Sequence, residues 1–130
     1  MSTIATEIFK AHNGTALTGA GAGTSTSEYF PCDTSAELCV WIEQDSAGTP
    51  GVDVTLRYSP HAADYMNGIT PTTDDYVSVT VIAGFAVKVL TRYTPIEVAA
   101  LGYPPKSCAV HLVESGTDNT TVYVWVEKRG

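Results

Sequence analysis

The sequence predicts an all-β domain, an antiparallel β-sandwich or jelly roll of about eight strands with at most one or two short helical turns. Three observations support this fold class. The chain of 130 residues contains 18 Thr and 14 Val, which are β-branched and favour strands. Apolar residues recur with a period of two rather than 3.6. Turn signals recur roughly every ten residues, a spacing typical of sandwiches and barrels.

The clearest strand is Val52–Tyr58, where apolar and polar residues alternate and separate a buried face from a solvated one. A second strand, Leu38–Glu43, is apolar on both faces, which predicts a central strand or one that faces a partner. The polar segment Asp45–Gly51 between them has the length and composition of a hairpin loop. We therefore predict an antiparallel hairpin over Leu38–Tyr58.

Further strands are predicted over Tyr76–Ala83 and Phe85–Tyr93. Gly84 separates them, and an isolated glycine in such a run indicates a bulge, a bend or a tight connection. The segments on either side of Ser115–Thr120 also alternate. They predict a second hairpin, over Cys108–Glu127, that closes the chain.

The N-terminal third is less regular. Residues 1–12 form a possible N-terminal arm or edge strand of a single domain that spans residues 1–130. Asn13–Gly14 is a strong turn signal, after which Thr15–Thr18 could pair back. Gly19–Ser27 reads as a small-residue linker. Tyr29–Pro31 indicates an edge strand, because proline cannot donate to a ladder.

Two segments are compatible with a short helix. Pro60–Gly68 begins with proline and ends at glycine, and it fits a helix and a loop equally well. Thr94–Leu101 has a Thr cap, a following proline and a Glu, and fits either a helix of one or two turns or a strand edge.

Charge and hydropathy exclude several classes of protein. The net charge is −7 and the seven Lys and Arg form no basic patch, so no nucleic-acid partner is expected. No apolar run reaches the ~18 residues of a membrane span, and no secretory signal is apparent, so we expect synthesis in the cytoplasm and no membrane partner. Three cysteines, an odd number, predict reduced thiols rather than a disulfide framework.

No catalytic constellation is visible, so we expect a protein that is not an enzyme and has no cofactor. His12, His61 and His111 are far apart, and no Ser or Cys lies in a nucleophile motif. His111 lies within a predicted strand and is expected to be a packed or interface residue. No zinc spacing is present. Carboxylates near His61, at Asp64 and Asp74–Asp75, could hold a hard cation, but Asp at such positions is more often turn and cap chemistry.

Aromatic residues leave one alternative open. Trp41 and Trp125 each lie within a predicted strand. They could belong to a sugar-binding platform, or they could pack in the core or in a subunit interface, which we favour.

The stretch Ser35–Tyr65, SAELCVWIEQDSAGTPGVDVTLRYSPHAADY, joins an alternating strand, a Gly-rich turn, a second strand and a polar loop with an aromatic residue. It resembles small β-sandwich structural proteins of tailed bacteriophages, among them head decoration and fibre-associated domains. The closing TVYVWVEKRG is similar to the terminal strand of such domains.

The resemblance implies a virion structural protein, made in the host cytoplasm and located in the virion. We expect a capsid decoration or stabilising protein that binds the major capsid protein or another virion protein across subunit joints. Such proteins often act as trimers, so a homo-oligomer is expected. The alternative is a carbohydrate-binding or adhesin-type tail-fibre module. The residues expected to bind the partner are Ile4, Ile8 and Phe9 in the N-terminal arm and, as exposed aromatics, Tyr29 and Phe30.

Overall fold

The computed structural model describes residues 6–21, 23–32, 37–97 and 105–129. Within these ranges the chain forms nine strands and one short helix. In chain order they are β1 (Thr6–Leu17), β2 (Thr24–Thr26), β3 (Phe30–Pro31), β4 (Glu37–Gln44), β5 (Val52–Ser59), α1 (Ala63–Asn67), β6 (Val77–Phe85), β7 (Thr91–Glu97), β8 (Ser107–Glu114) and β9 (Thr120–Arg129).

The strands form two antiparallel sheets. Sheet I has the order β1-β9-β4-β7, and sheet II has the order β2-β8-β5-β6, with β3 pairing β8 beyond β2. Since β2 and β3 lie along the same edge of β8, each sheet is four strands wide. The chain crosses repeatedly between sheets, which gives the arrangement of a jelly roll. The prediction of an all-β sandwich or jelly roll is therefore confirmed.

The core lies between the two sheets, and alternation along each strand builds it. In β9 every second residue is buried, and β5 alternates in the same way over most of its length. β4 lies between β9 and β7, which confirms the central position predicted from its two apolar faces. The largest fully buried apolar side chains are Tyr58, Phe30, Phe85, Leu38, Ile42, Leu56, Met66 and Leu112.

The two predicted hairpins are wrong. β4 belongs to sheet I and β5 to sheet II, and β8 and β9 are likewise in different sheets. Residues 45–51 and 115–119 therefore carry the chain across the sandwich instead of turning it back within one sheet. The alternation of β4 and β5 is real, but their apolar faces meet across the core, as Val40 and Leu56 in the same buried cluster illustrate.

The predicted turn at Asn13–Gly14 is also wrong, because β1 runs through it as one strand of 12 residues. Gly14 has a positive φ of 80°, and the pairing of β1 with β9 shifts register between Asn13 and Thr15. The glycine therefore allows a bulge rather than a hairpin. The segment predicted to be a linker, Gly19–Ser27, contains β2, which pairs with β8.

The irregularity predicted at Gly84 is confirmed, whereas the strand predicted after it is only partly correct. Gly84, with φ 73°, lies in a bulge: the partners of Val52 and Val54 are Phe85 and Ile82, three residues apart. Residues 86–90 are a loop, so the strand predicted over Phe85–Tyr93 begins only at Thr91.

The edge position of Pro31 is confirmed in β3. Of the two alternatives left open for Pro60–Gly68, a helix or a loop, the structure shows a short helix, α1. Thr94–Glu97 continue β7, whereas the rest of the segment to Leu101 lies outside the described residues. Residues 6–12 lie in β1, an edge strand of sheet I, and residues 1–5 lie outside the described residues.

Candidate functional site

Among the histidines, His61 lies beside a carboxylate and an aromatic ring. His61 Nε2 lies 3.5 Å from Asp75 Oδ1, and its ring lies 4.7 Å from that of Tyr65. The nearby hydroxyl of Ser59 accepts a hydrogen bond from the His61 backbone N–H at 3.0 Å rather than pairing with the ring. The histidine–carboxylate pair therefore has no activated nucleophile beside it among these contacts.

Metal ligation finds no support in the part of the chain that the structure describes. No group of three His, Cys, Asp or Glu side chains there is placed to hold an ion. Asp75 instead accepts hydrogen bonds from the backbone N–H of Thr72 at 2.9 Å and from its hydroxyl at 3.3 Å, the turn chemistry typical of Asp.

His111 lies in β8, where its Nδ1 is 2.7 Å from the hydroxyl of Thr26 in β2. Burial, and then the charges of Arg57 and His12, lower the pKa of His111. It is a half-buried residue that joins two strands, as the sequence predicted for a packed histidine.

The outer face of sheet I carries a row of aromatic and cationic side chains. One row of side chains runs across all four strands, because Lys10 pairs with Trp125, Trp125 with Trp41, and Trp41 with Arg92. We call these four residues the tryptophan row. Two half-buried indoles occupy its centre, and a cation stands at each end.

Each cation of the tryptophan row lies against an indole. Lys10 Nζ is 5.2 Å from the ring centroid of Trp125, and the guanidinium carbon of Arg92 is 5.6 Å from that of Trp41. These are cation–π distances. Arg92 also donates a hydrogen bond to Cys39 Sγ at 3.4 Å, and this contact raises the pKa of Arg92.

Neighbouring residues extend and hold the row. Tyr123, next on the same face of β9, stacks on Trp125 with centroids 6.1 Å apart and planes 13° apart. The Trp41 indole N–H points to Glu127 Oε1 at 3.4 Å, and Glu127 Oε2 lies 3.5 Å from Arg129 Nε. The result is a fixed aromatic surface bordered by charged groups.

Of the residues predicted in the N-terminal arm, Ile8 lies beside this surface. It is 64% exposed and pairs with Glu127, so it stands on the same outer face as Lys10. Phe9 points the other way, packs against the core and has its ring centroid 4.3 Å from that of Phe30. Ile4 lies outside the described residues.

The prediction that Tyr29 and Phe30 are exposed aromatics is wrong. Only 5% of Tyr29 and 2% of Phe30 is exposed. Phe30 is in the main core, and Tyr29 packs with Met66 of α1 and Ala109 of β8. The short strand β3 lies on the edge, but an edge strand can still direct its side chains inwards.

The sequence favours Trp41 and Trp125 packing in the core or in a subunit interface, and the first of these alternatives is wrong. Neither is in the core, since both lie on the outer face of sheet I. Sequence reasoning noted that β4 is apolar on both faces, but it did not bring Lys10 and Arg92 to the tryptophans. That juxtaposition depends on the register of four strands, which the sequence does not display.

No helix among the described residues is long and apolar enough to cross a membrane. No protein-family model matches the chain, and no curated protein matches it. The fold is nevertheless found in solved structures. One is a chain of the structure of infectious bursal disease virus Gx strain, with a TM-score of 0.63 and 12% sequence identity.

That match covers 98% of this chain but only 32% of the viral one, so the chain spans about a third of the length of that relative. A second similar structure is SPBc2 prophage-derived protein YomS, with a TM-score of 0.53 and 16% identity, covering 98% of this chain and 97% of the other. At these sequence identities the comparison shows a shared fold alone. The jelly roll is found in a chain of the virus structure and in a prophage-derived protein of nearly the same length as this chain.

Proposed function

We propose that this chain is a non-enzymatic structural protein of a virion, a decoration protein that attaches to the major capsid protein or to another virion protein. The outer face of sheet I is its contact surface, with the tryptophan row at the centre. The single observation that carries the proposal is the row Lys10–Trp125–Trp41–Arg92 on a half-exposed sheet face.

The composition of this face is that of a protein–protein contact. Trp, Tyr and Arg are the residues most enriched among those that dominate binding energy. Trp41, Trp125 and Tyr123 offer large rigid surfaces, and little side-chain entropy remains to be lost because their neighbours already hold them. Charged groups at the border match the polar rim of such interfaces. Ile8 adds exposed apolar surface beside the row.

The fold supports the same proposal. The similar structures come from a virus and from a prophage-derived protein, and one of them has nearly the length of this chain. A domain of this size gains attachment strength when it repeats over a symmetric shell, because linked copies bind with a high effective concentration. We propose a homo-oligomer, with a trimer favoured, bridging the joints between capsid subunits.

The test is co-sedimentation. The natural or variant gene is expressed in cells together with the rest of the phage genome, the particles are purified by sedimentation, and the amount of this chain that migrates with them is measured. The natural chain should migrate with particles at a fixed copy number. Replacement of both Trp41 and Trp125 by Ala should weaken attachment by about tenfold or more, the loss expected for central interface residues. Tyr65→Ala, which removes an exposed aromatic on α1, is the matched control and should bind as the natural chain does.

Two results would overturn the proposal: absence of the chain from purified particles, or equal binding by the double tryptophan variant and the control. Thermal unfolding of each variant, measured in parallel, separates lost attachment from lost folding.

A second candidate function is a carbohydrate-binding or adhesin module, which the stacked pair Tyr123 and Trp125 favours. Sugar rings stack on aromatic faces, but Lys10 and Arg92 already lie over the indoles. A sugar would have to displace both cations, so we place this function second. Binding on a glycan array that Trp125→Ala removes, without particle attachment, would reverse the order.

A further inference from the structure

A cavity of about 270 Å³ opens on the other side of the molecule, on the outer face of sheet II. It forms because α1 and the segment after it pack over this face, where Met66, Tyr29 and Ala109 make a small apolar cluster of their own. The proposed contact surface on sheet I plays no part in it. The cavity therefore needs a separate explanation.

One wall of the cavity is formed by a cation with no anionic partner within the described residues. Arg57, on β5, is half-buried, and its guanidinium carbon lies 4.3 Å from the ring centroid of Tyr76. Within the described residues Arg57 forms no ion pair, and its Nε is shielded from solvent and donates no hydrogen bond. Buried guanidinium N–H groups nearly always have an acceptor, so this group indicates a missing one.

Tyr29 lines the same cavity. Tyr29 is 5% exposed, and its hydroxyl is buried and forms no hydrogen bond within the described residues. The hydroxyl lies close enough to Arg57 for the guanidinium to lower the pKa of Tyr29, against the larger effect of burial. Burial raises the pKa of Tyr29, which keeps the phenol protonated and able to donate. A guanidinium and a phenol thus lie close together in the lining of the cavity, and neither forms an ion pair with a carboxylate within the described residues.

We propose that this cavity binds a monocarboxylate with a short apolar body. A guanidinium and a phenol O–H supply the donors that a planar carboxylate accepts. Arg57 provides one positive charge, which matches one negative charge, whereas a phosphate dianion would add to the charge of an acidic domain and lie near the exposed Glu28 at the rim.

The rest of the lining defines the body of the ligand. Met66, Ile69 and Pro71 make up the apolar part of the lining. An aliphatic group of a few carbons would cover it, as expected for small sites that combine apolar walls with a few placed polar groups. The carboxylate can belong to a free small molecule or to the C-terminus of another protein chain, since the chemistry that recognises it is the same.

The experiment is a titration of the ¹⁵N-labelled full chain, followed by amide chemical shifts. The probes are sodium 4-methylpentanoate, the neutral 4-methylpentanamide and inorganic phosphate. We expect saturable shifts at Asn67 and Ile69 with the carboxylate only. Arg57→Gln should weaken binding by about tenfold or more, and Tyr29→Phe by several-fold, as expected for one charge-assisted and one neutral hydrogen bond. Lys88→Gln, which removes an exposed cation in the loop between β6 and β7, is the matched control and should bind normally.

The two sources of the carboxylate are separated by a second pair of probes, an acetylated tetrapeptide ending in Leu with a free carboxylate and the same peptide with a C-terminal amide. Tighter binding of the free peptide than of 4-methylpentanoate assigns the site to a protein chain, and equal binding assigns it to a small molecule.

Absence of shifts with the carboxylate, equal binding of the amide, or a preference for phosphate would overturn the proposal. Binding that neither Arg57→Gln nor Tyr29→Phe weakens would also overturn it. Circular dichroism of each variant checks the fold, and Tyr29→Phe keeps the ring that packs against Met66. None of these outcomes depends on attachment to a virion.

Discussion

Glu114 Oε1 accepts the backbone N–H of Gly51 at 2.7 Å, and this contact joins two connections between the sheets. The same oxygen accepts the N–H of Gly116 at 2.6 Å. Glu114 is completely buried, and its partners lie in the loops that carry the chain from β4 to β5 and from β8 to β9. One carboxylate inside the sandwich therefore holds both crossings at the same end.

Removal of this carboxylate should destabilise the domain. Glu114→Ala leaves one buried and one half-buried N–H group without an acceptor, and we expect the free energy of unfolding to fall by about 2–4 kcal/mol. Glu114→Gln should cost less, because the amide oxygen can still accept. Urea denaturation measures both, with Glu28→Ala as the control for an exposed carboxylate. Equal stability of Glu114→Ala and Glu28→Ala would contradict this role.

Adjacent residues of β1 should respond in opposite ways. Phe9→Ala removes a ring that packs on Phe30 and the core, and should lower the free energy of unfolding by about 2 kcal/mol, less than for a fully buried Phe because Phe9 is only partly buried. Ile8→Ala should change it by less than about 0.5 kcal/mol, since Ile8 is 64% exposed. Thermal unfolding of the two variants tests this, and a larger loss for Ile8→Ala would show that the register of β1 is wrong.

The strands could be predicted from the sequence because their signal is local. In β9 the valines 122, 124 and 126 are buried while Tyr123 and Trp125 are outside, and the alternation is visible in the sequence itself. The assignment of strands to sheets could not be predicted. A polar loop such as Asp45–Gly51 can turn back or cross over, and contacts such as Glu114 to Gly51, 63 residues apart, determine which occurs.

The same reasoning explains the failure at Asn13–Gly14. The dipeptide favours a turn locally, but β1 pairs with β9 on both sides of it, and these ladder contacts override the local preference. The tryptophan row could not be predicted from the sequence for a similar reason. Lys10 and Arg92 lie beside the tryptophans only because of the register between neighbouring strands.

His12 should make stability depend on pH. Its Nε2 donates to the carbonyl of Val110 at 2.9 Å, and its Nδ1 lies 2.9 Å from the Thr15 hydroxyl. Burial lowers the pKa of His12 in the folded state, although the Val110 carbonyl opposes this shift. The unfolded chain therefore binds more protons below about pH 6.5, and the folded state loses stability as the pH falls from there through the lowered pKa.

We expect the free energy of unfolding to decrease between pH 7 and pH 5, and His12→Gln to flatten this dependence. His111→Asn should flatten it further, because burial lowers the pKa of His111 as well. Urea denaturation at several pH values gives the slopes. A decrease that is unchanged in both variants would assign the effect to other groups.

Cys108 should be inert to alkylation in the folded chain. Its side chain is completely buried, and burial, together with the nearby Cys32 thiol, raises the pKa of Cys108 well above its ordinary value. The thiolate is the reactive form, so labelling requires the sandwich to open. We expect iodoacetamide at pH 8 to modify Cys108 at least about a thousandfold more slowly in the native chain than in urea, in keeping with the small fraction unfolded. Mass spectrometry of the peptide that contains Cys108 follows the reaction, and native labelling as fast as in urea would show that this part of the core is open to solvent.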